Sequence, residues 1–174
     1  MYLNLPSWYS FFCRFEKYNS WIVVSLSANI APAAVIYGNA TLNNTNIYGT
    51  KLSSLDTDPM WPVYDLAVVN YSSTIINGGK IGSVYTWAKA YMEFNDVEVD
   101  KIITSCRKTS DFAKGGLVIG EGTTVNNIVI NNANAVITIK AGAVVETLDY
   151  NNIDANMTVV IEDGATVKNV INKV

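Results

Sequence analysis

Along the last third of the chain, apolar positions recur in a fixed pattern around three glycines. Ile119-Gly120-Glu121-Gly122-Thr123-Thr124-Val125-Asn126-Asn127-Ile128 aligns with Ile139-Lys140-Ala141-Gly142-Ala143-Val144-Val145-Glu146-Thr147-Leu148. Both align with Ile161-Glu162-Asp163-Gly164-Ala165-Thr166-Val167-Lys168-Asn169-Val170. The shared form is I-x-x-G-[AT]-[TV]-V-x-x-[ILV], with the glycines 20 and then 22 residues apart. Self-similarity at such a period marks a repeat architecture. Before each of the last two corners runs an alternating segment, Val136, Ile137 and Ile139 in one and Val159 and Ile161 in the other. Alternation predicts short strands, and glycine supplies the positive φ that a sharp corner needs. The expected fold is all-β, ending in a β-solenoid whose rungs of about 20 residues stack Ile119, Ile139 and Ile161 in one column. Val125, Val145 and Val167 form a second column. The pairs Asn126-Asn127, Asn131-Asn132 and Asn151-Asn152 fall near corners, where stacked amides can hydrogen-bond between rungs.

Upstream the pattern thins. Ile36-Tyr37-Gly38, Ile47-Tyr48-Gly49 and Ile76-Asn77-Gly78-Gly79 have a similar texture and read either as earlier rungs or as ordinary hairpins. Residues 83–93 alternate, with Val84, Thr86, Ala88, Ala90 and Met92 on one face and Tyr85, Trp87, Lys89 and Tyr91 on the other. Val97-Glu98-Val99-Asp100 continues in kind, and two antiparallel strands with an aromatic face are expected. At the start, Trp8, Phe11, Phe12, Phe15 and Tyr18 recur at three- and four-residue steps after Pro6-Ser7, which predicts a short aromatic helix or arm. It reads as a cap over the chain's own core or as a docking arm. Three regions follow: an N-terminal attachment region over 1–62, a middle antiparallel β region over 63–115, and the solenoid over 116–174.

Composition narrows the function more than it defines it. Twenty asparagines favour turns and left-handed corners, because the short amide bonds to local backbone and tolerates positive φ. An apolar content of 49% excludes disorder. With 12 basic against 15 acidic side chains there is no footprint for nucleic acid. The absence of histidine removes Ser-His and Cys-His pairs and His-ligated metal sites. Cys13 and Cys106 are too few for a disulfide framework and read as separate buried thiols. No run approaches the roughly 18 apolar residues of a membrane span. Residues 21–28 follow Arg14 and Lys17 like a signal core, but the arm before them is long and carries Glu16, so they are expected to stay on the chain.

Candidate chemistry is sparse. Glu93, Asp96, Glu98 and Asp100 form an acidic group in which Glu98 and Asp100 share a strand face. Without a calcium-loop spacing, and with Lys101 adjacent, this is a solvated face rather than a metal site. A β-helical hydrolase or lyase needs paired carboxylates on one solenoid face. Glu121, Glu146, Asp149, Glu162 and Asp163 fall at scattered offsets in the repeat, and only Glu121 and Asp163 share one. No catalytic residue, metal or cofactor is expected. Tyr85, Trp87 and Tyr91 are the candidate sugar-stacking residues, with burial in a subunit contact as the favoured alternative. The Asn-x-Ser/Thr sequons at Asn39, Asn43, Asn70 and Asn156 are about as many as composition alone yields.

The I-x-x-G-[AT]-x-V rungs, their Asn-rich corners and the aromatic N-terminal segment resemble bacteriophage fibre and spike proteins, and in style autotransporter adhesins. The likeness covers about 116–174 and carries no diagnostic motif. It implies an N-terminal part fixed to a particle and a projecting β-helical shaft. Hexapeptide acyltransferases are also β-helices, but their six-residue period is missing here. A solenoid's last rung exposes an apolar cross-section, so a homo-oligomer, specifically a homotrimer, is expected. The expected protein is a non-enzymatic virion component of head-fibre, decoration or tail-fibre type. Its partners would be a capsid or tail protein through the N-terminal region and a host-surface glycan. The alternatives are an extracellular or cell-surface adhesin or carbohydrate-binding module and, further off, a polysaccharide depolymerase.

Overall fold

The computed structural model describes residues 22–25, 29–30, 34–36, 39–51, 65–86, 90–104, 116–130, 136–150 and 158–172. The aromatic residues Trp8, Phe11, Phe12 and Phe15, both cysteines and Trp87 lie outside the described residues. Every described element is a strand. In chain order they are β1 (Ile22–Ser25), β2 (Asn29–Ile30), β3 (Ala34–Ile36), β4 (Ala40–Ile47), β5 (Thr50–Lys51), β6 (Asp65–Asn70) and β7 (Ser73–Thr86). There follow β8 (Tyr91–Thr104), β9 (Gly116–Ile119), β10 (Thr124–Ile130), β11 (Val136–Ile139), β12 (Val144–Tyr150), β13 (Thr158–Ile161) and β14 (Thr166–Asn172).

The strands pair in parallel throughout, except for the short antiparallel contact of β5 with β6. One wall runs β1-β4-β7-β8-β10-β12-β14, and a second wall runs β8-β9-β11-β13. The result is a β-solenoid of about three turns over residues 73–171. Each layer has two arms meeting at a corner. In the lower layers the arms are separate strands, while β7 and β8 turn the corner without a break.

The repeated glycines make those corners. Thr123 N donates to Gly120 O, Ala143 N to Lys140 O, and Ala165 N to Glu162 O, each closing a turn whose third residue is the repeat glycine. Gly122, Gly142 and Gly164 sit there at φ of 73°, 78° and 90°. The same corner position continues upward as Asp96 (φ 57°), Gly78 (φ 70°) and Asn44 (φ 48°). Asp and Asn are among the few L residues that enter this left-handed region readily. Thr123 and Ala143, next to the corner, are fully buried, so small side chains fill the narrow angle.

Inside, four columns run through the layers. Pairing places Leu42, Ile76, Phe94, Ile119, Ile139 and Ile161 in line, then Ile47, Ile81, Val99, Val125, Val145 and Val167. Thr74, Met92, Leu117, Ile137 and Val159 form the third column, and Val84, Ile102, Ile128, Leu148 and Val170 the fourth. From Ile76 to Ile139 and from Val84 to Leu148 these side chains are almost wholly out of water. A buried aliphatic side chain contributes roughly 1.5–3 kcal/mol, against at most about 1 kcal/mol for an exposed ion pair. The columns therefore hold the fold. From the layer of Ile76 to that of Ile139 they are buried within one chain.

The middle region departs from the expected antiparallel arrangement. β7 and β8 are parallel, joined by residues 87–90, and belong to the same solenoid as the glycine rungs. No architectural boundary falls at 115, since β8 pairs with both β9 and β10. Alternation is the same for either strand direction, and short links ordinarily signal antiparallel neighbours. Here the corner at Gly78-Gly79 folds the β7 layer back on itself. Of the fainter traces, Ile76-Asn77-Gly78 is a true corner, Gly49 lies beyond the end of β4, and Gly38 is outside the described residues.

Gly142→Ala puts a Cβ at positive φ, 3.0 Å from the flexible Glu121 Cγ, and is expected to cost about 1–2 kcal/mol in urea unfolding. At Gly79 a Cβ would overlap the Thr45 carbonyl oxygen and lie 2.7 Å from Thr45 N. Backbone cannot move aside, so Gly79→Ala is expected to lower the melting temperature well beyond Gly142→Ala.

Candidate functional surface

The outer faces of the two walls differ in chemistry. On the β10-β12-β14 side, charged and amide groups form rows across the layers. Lys80 Nζ meets Glu98 Oε2 at 2.6 Å, Asn126 Nδ2 donates to Asp100 Oδ1 at 3.2 Å, and Lys168 Nζ donates to Glu146 Oε1 at 2.6 Å. The acidic group of the middle region is thus dispersed. Glu98 and Asp100 face solvent with separate partners, and Asp96 is spent on the corner. Among the described residues no three metal-ligating side chains converge.

The most organised polar cluster lies near the corner of the other wall. Tyr91, Glu93 and Asn95 alternate along β8 and so share its outer side. The Tyr91 hydroxyl donates to Glu93 Oε2 at 2.5 Å, and Asn95 Nδ2 donates to Glu93 Oε1 at 3.2 Å. Lys140, two layers below, brings Nζ to 4.0 Å from the same Oε1. In the layer between stands Gly120, where any Cβ would strike the Asn95 amide oxygen and the Phe94 carbonyl. Asn95 also caps an amide ladder: Asn95 Nδ2 donates to Asn77 Oδ1 at 3.0 Å, and Asn77 Nδ2 to Asn43 Oδ1 at 2.9 Å.

These contacts set the local charge. Burial, then the hydrogen bond and negative charge of Glu93, push the Tyr91 phenol up to about 12. The hydrogen bond from Tyr91, reinforced by Asn95 and the Lys140 ammonium, holds Glu93 below the usual carboxylate range against its partial burial. The cluster is a self-satisfied brace. Its carboxylate is fully engaged, which suits rigidity better than proton transfer.

Of the three candidate sugar-stacking residues, the structure describes Tyr85 and Tyr91. Tyr85 is 7% exposed, on the side of β7 away from the columns, and lines up with buried Val69 and Ile103. Tyr91 lies on the next strand and is tied to Glu93, and Trp87 falls outside the described residues. The break between Thr86 and Tyr91 turns a single apparent alternation into the end of one layer and the start of the next. Amide stacking also forms elsewhere than expected. Asn126 pairs with Asp100, whereas the ladder uses Asn43, Asn77 and Asn95, which are far apart in sequence and meet only once the layers are in register. The Tyr91-x-Glu93-x-Asn95 spacing was the available signal for the brace; nothing in sequence points to Lys140. Asn131-Asn132 and Asn151-Asn152 lie outside the described residues.

Comparison with protein-family models, curated proteins and solved structures gives no match for this chain.

The raised Tyr91 and lowered Glu93 give the brace a defined pH window. Folding holds the Tyr91 proton more tightly than the unfolded chain does, so that contribution is complete below pH 10.0 and lost as pH rises toward about 12. The Glu93 contribution is present above its ordinary value of 4.5 and lost as pH falls through the lowered one. Tyr91→Phe is expected to remove a late phenolate step from an absorbance titration and to cost about 0.5–1 kcal/mol at neutral pH.

Proposed function

We propose that this chain is a non-enzymatic structural protein of the fibre or decoration type, carried on a virion, with residues 1–62 attaching it to a capsid or tail protein and the solenoid projecting outward. The observation that carries this reading is the unbroken parallel register from β4 to β14, which makes a stiff rod out of the larger part of the chain. Its outer polar groups brace one layer against the next, as at Lys80–Glu98, Lys168–Glu146 and the Asn43–Asn77–Asn95 ladder. Such a surface serves shape and endurance. The likeness of the rungs to phage fibre and spike proteins supports a particle-borne role. The seven strands of the longer wall span roughly 29 Å at about 4.8 Å per step, so one chain supplies a short projection. With Tyr85 buried and Tyr91 engaged, attachment to a host-surface glycan would rest on groups other than this pair.

Gold-labelled antibody against the purified chain is the direct test, applied to particles and envelopes from cells that produce it. Regular labelling of virion surfaces is the expected result. Label confined to the cell envelope or to the soluble fraction would overturn the virion reading.

A further inference from the structure

The layer 158–172 repeats the interior layers position for position, yet its column residues stand open. Ile161 is 49% exposed and Val170 56%, where their neighbours one layer above, Ile139 and Leu148, are 0% and 1%. Val167, which follows fully buried Val125 and Val145, is only partly buried. The polar side chains of this layer reach back toward the layer above. Lys168 Nζ donates to Glu146 Oε1, Glu162 Oε2 accepts from Ala141 N at 3.2 Å, and Asn169 Nδ2 donates to Glu146 O at 3.0 Å. Sheet edges that stay solitary are ordinarily blunted by charges, proline or a bulge. Here the charged groups Glu162 and Lys168 are drawn away from the open side, leaving seven residues of regular strand in β14.

The chemistry of what fits is defined by the contact already made within the chain. The lower face of layer 136–150 binds a rung through these same columns, with in-register pairing from Val144↔Thr166 to Tyr150↔Asn172. The lower face of 158–172 presents the equivalent residues, so its complement is another rung with Val and Ile at matching positions. Among the residues whose burial is described, the exposed members of the columns, Ile161 and Val170, fall in this layer. A second copy presents the same open face.

We infer that β14 is a docking edge for β14 of a second copy, the two solenoids joining end to end about a two-fold axis. An axis normal to the β10-β12-β14 wall brings the two β14 edges together antiparallel and keeps both inward faces on the same side. The wall then runs continuously from one copy into the other. A contact related by a two-fold axis is isologous and closes at two copies. The inference stands on the solenoid alone and does not depend on what the N-terminal part attaches to.

Sedimentation velocity of the full chain from about 1 to 200 μM, the range appropriate to a contact smaller than a standard interface, tests it together with Val170→Lys and Ile171→Lys. Both residues are exposed in the single chain, so either charge is tolerated there and is buried only at the junction. The expected result is a species of twice the 19.0 kDa chain mass, with its half-point shifted at least tenfold upward in each variant. A wild-type chain that stays monomeric throughout, or an oligomer that both variants leave unchanged, overturns the inference. Hydrogen exchange in the wild type supplies a readout that needs no variant. Protection of amides 166–172 should rise with protein concentration, and protection independent of concentration would also overturn it.

Discussion

Stacking of equivalent side chains between successive layers is the interaction on which everything else in this molecule depends. A single layer of two short arms has almost no interior of its own and could not exclude water from its apolar face. Placed over another layer in register, the same arms cover Ile with Ile and Val with Val. That demand explains the rest of the chain's habits. The corner must occur at one place in every layer, or the columns lose alignment. The residue beside the corner must be small, and strands must run parallel because the winding never reverses.

The polar surface follows the same logic. Once the columns set the register, side chains at one outward position fall about one strand spacing apart, close enough to bond directly. Asn77 both accepts from Asn95 and donates to Asn43, a relay its amide can make because it carries both a donor and an acceptor. The salt links Lys80–Glu98 and Lys168–Glu146 arise in the same way, but their high exposure makes them minor terms beside the interior. The Tyr91–Glu93–Asn95–Lys140 brace spans more than one layer, and Gly120 in the layer between leaves the space that the Asn95 side chain occupies.

How much of this was legible in the amino-acid order depends on which residue occupies the corner. Where Gly122, Gly142 and Gly164 mark it, the repeat, its strands and two of its columns can be read directly. Higher up, Asp96 and Asn44 take the same backbone conformation without the same letter, and the layers built on them pass for unrelated strands. Strand direction was also hidden, because alternation carries no polarity and runs on from Val84 to Met92 across the end of one strand and the start of the next. Tyr85 looked like a surface aromatic because it alternates out of phase with Val84, yet the side of β7 that it occupies is buried as well. Lys140 joins Glu93 only through the stacking of three layers, which no local spacing records.

The links between layers differ in length while the corners do not. Four residues separate β7 from β8, eleven separate β8 from β9, five separate β10 from β11, and seven separate β12 from β13. Register is set by the arms and the corner, so the connecting segments are released from it. A change in the length of a connection is thus compatible with columns that stay in register. Natural variation, and any peptide grafted by design, has a tolerant margin there beside an inflexible scaffold.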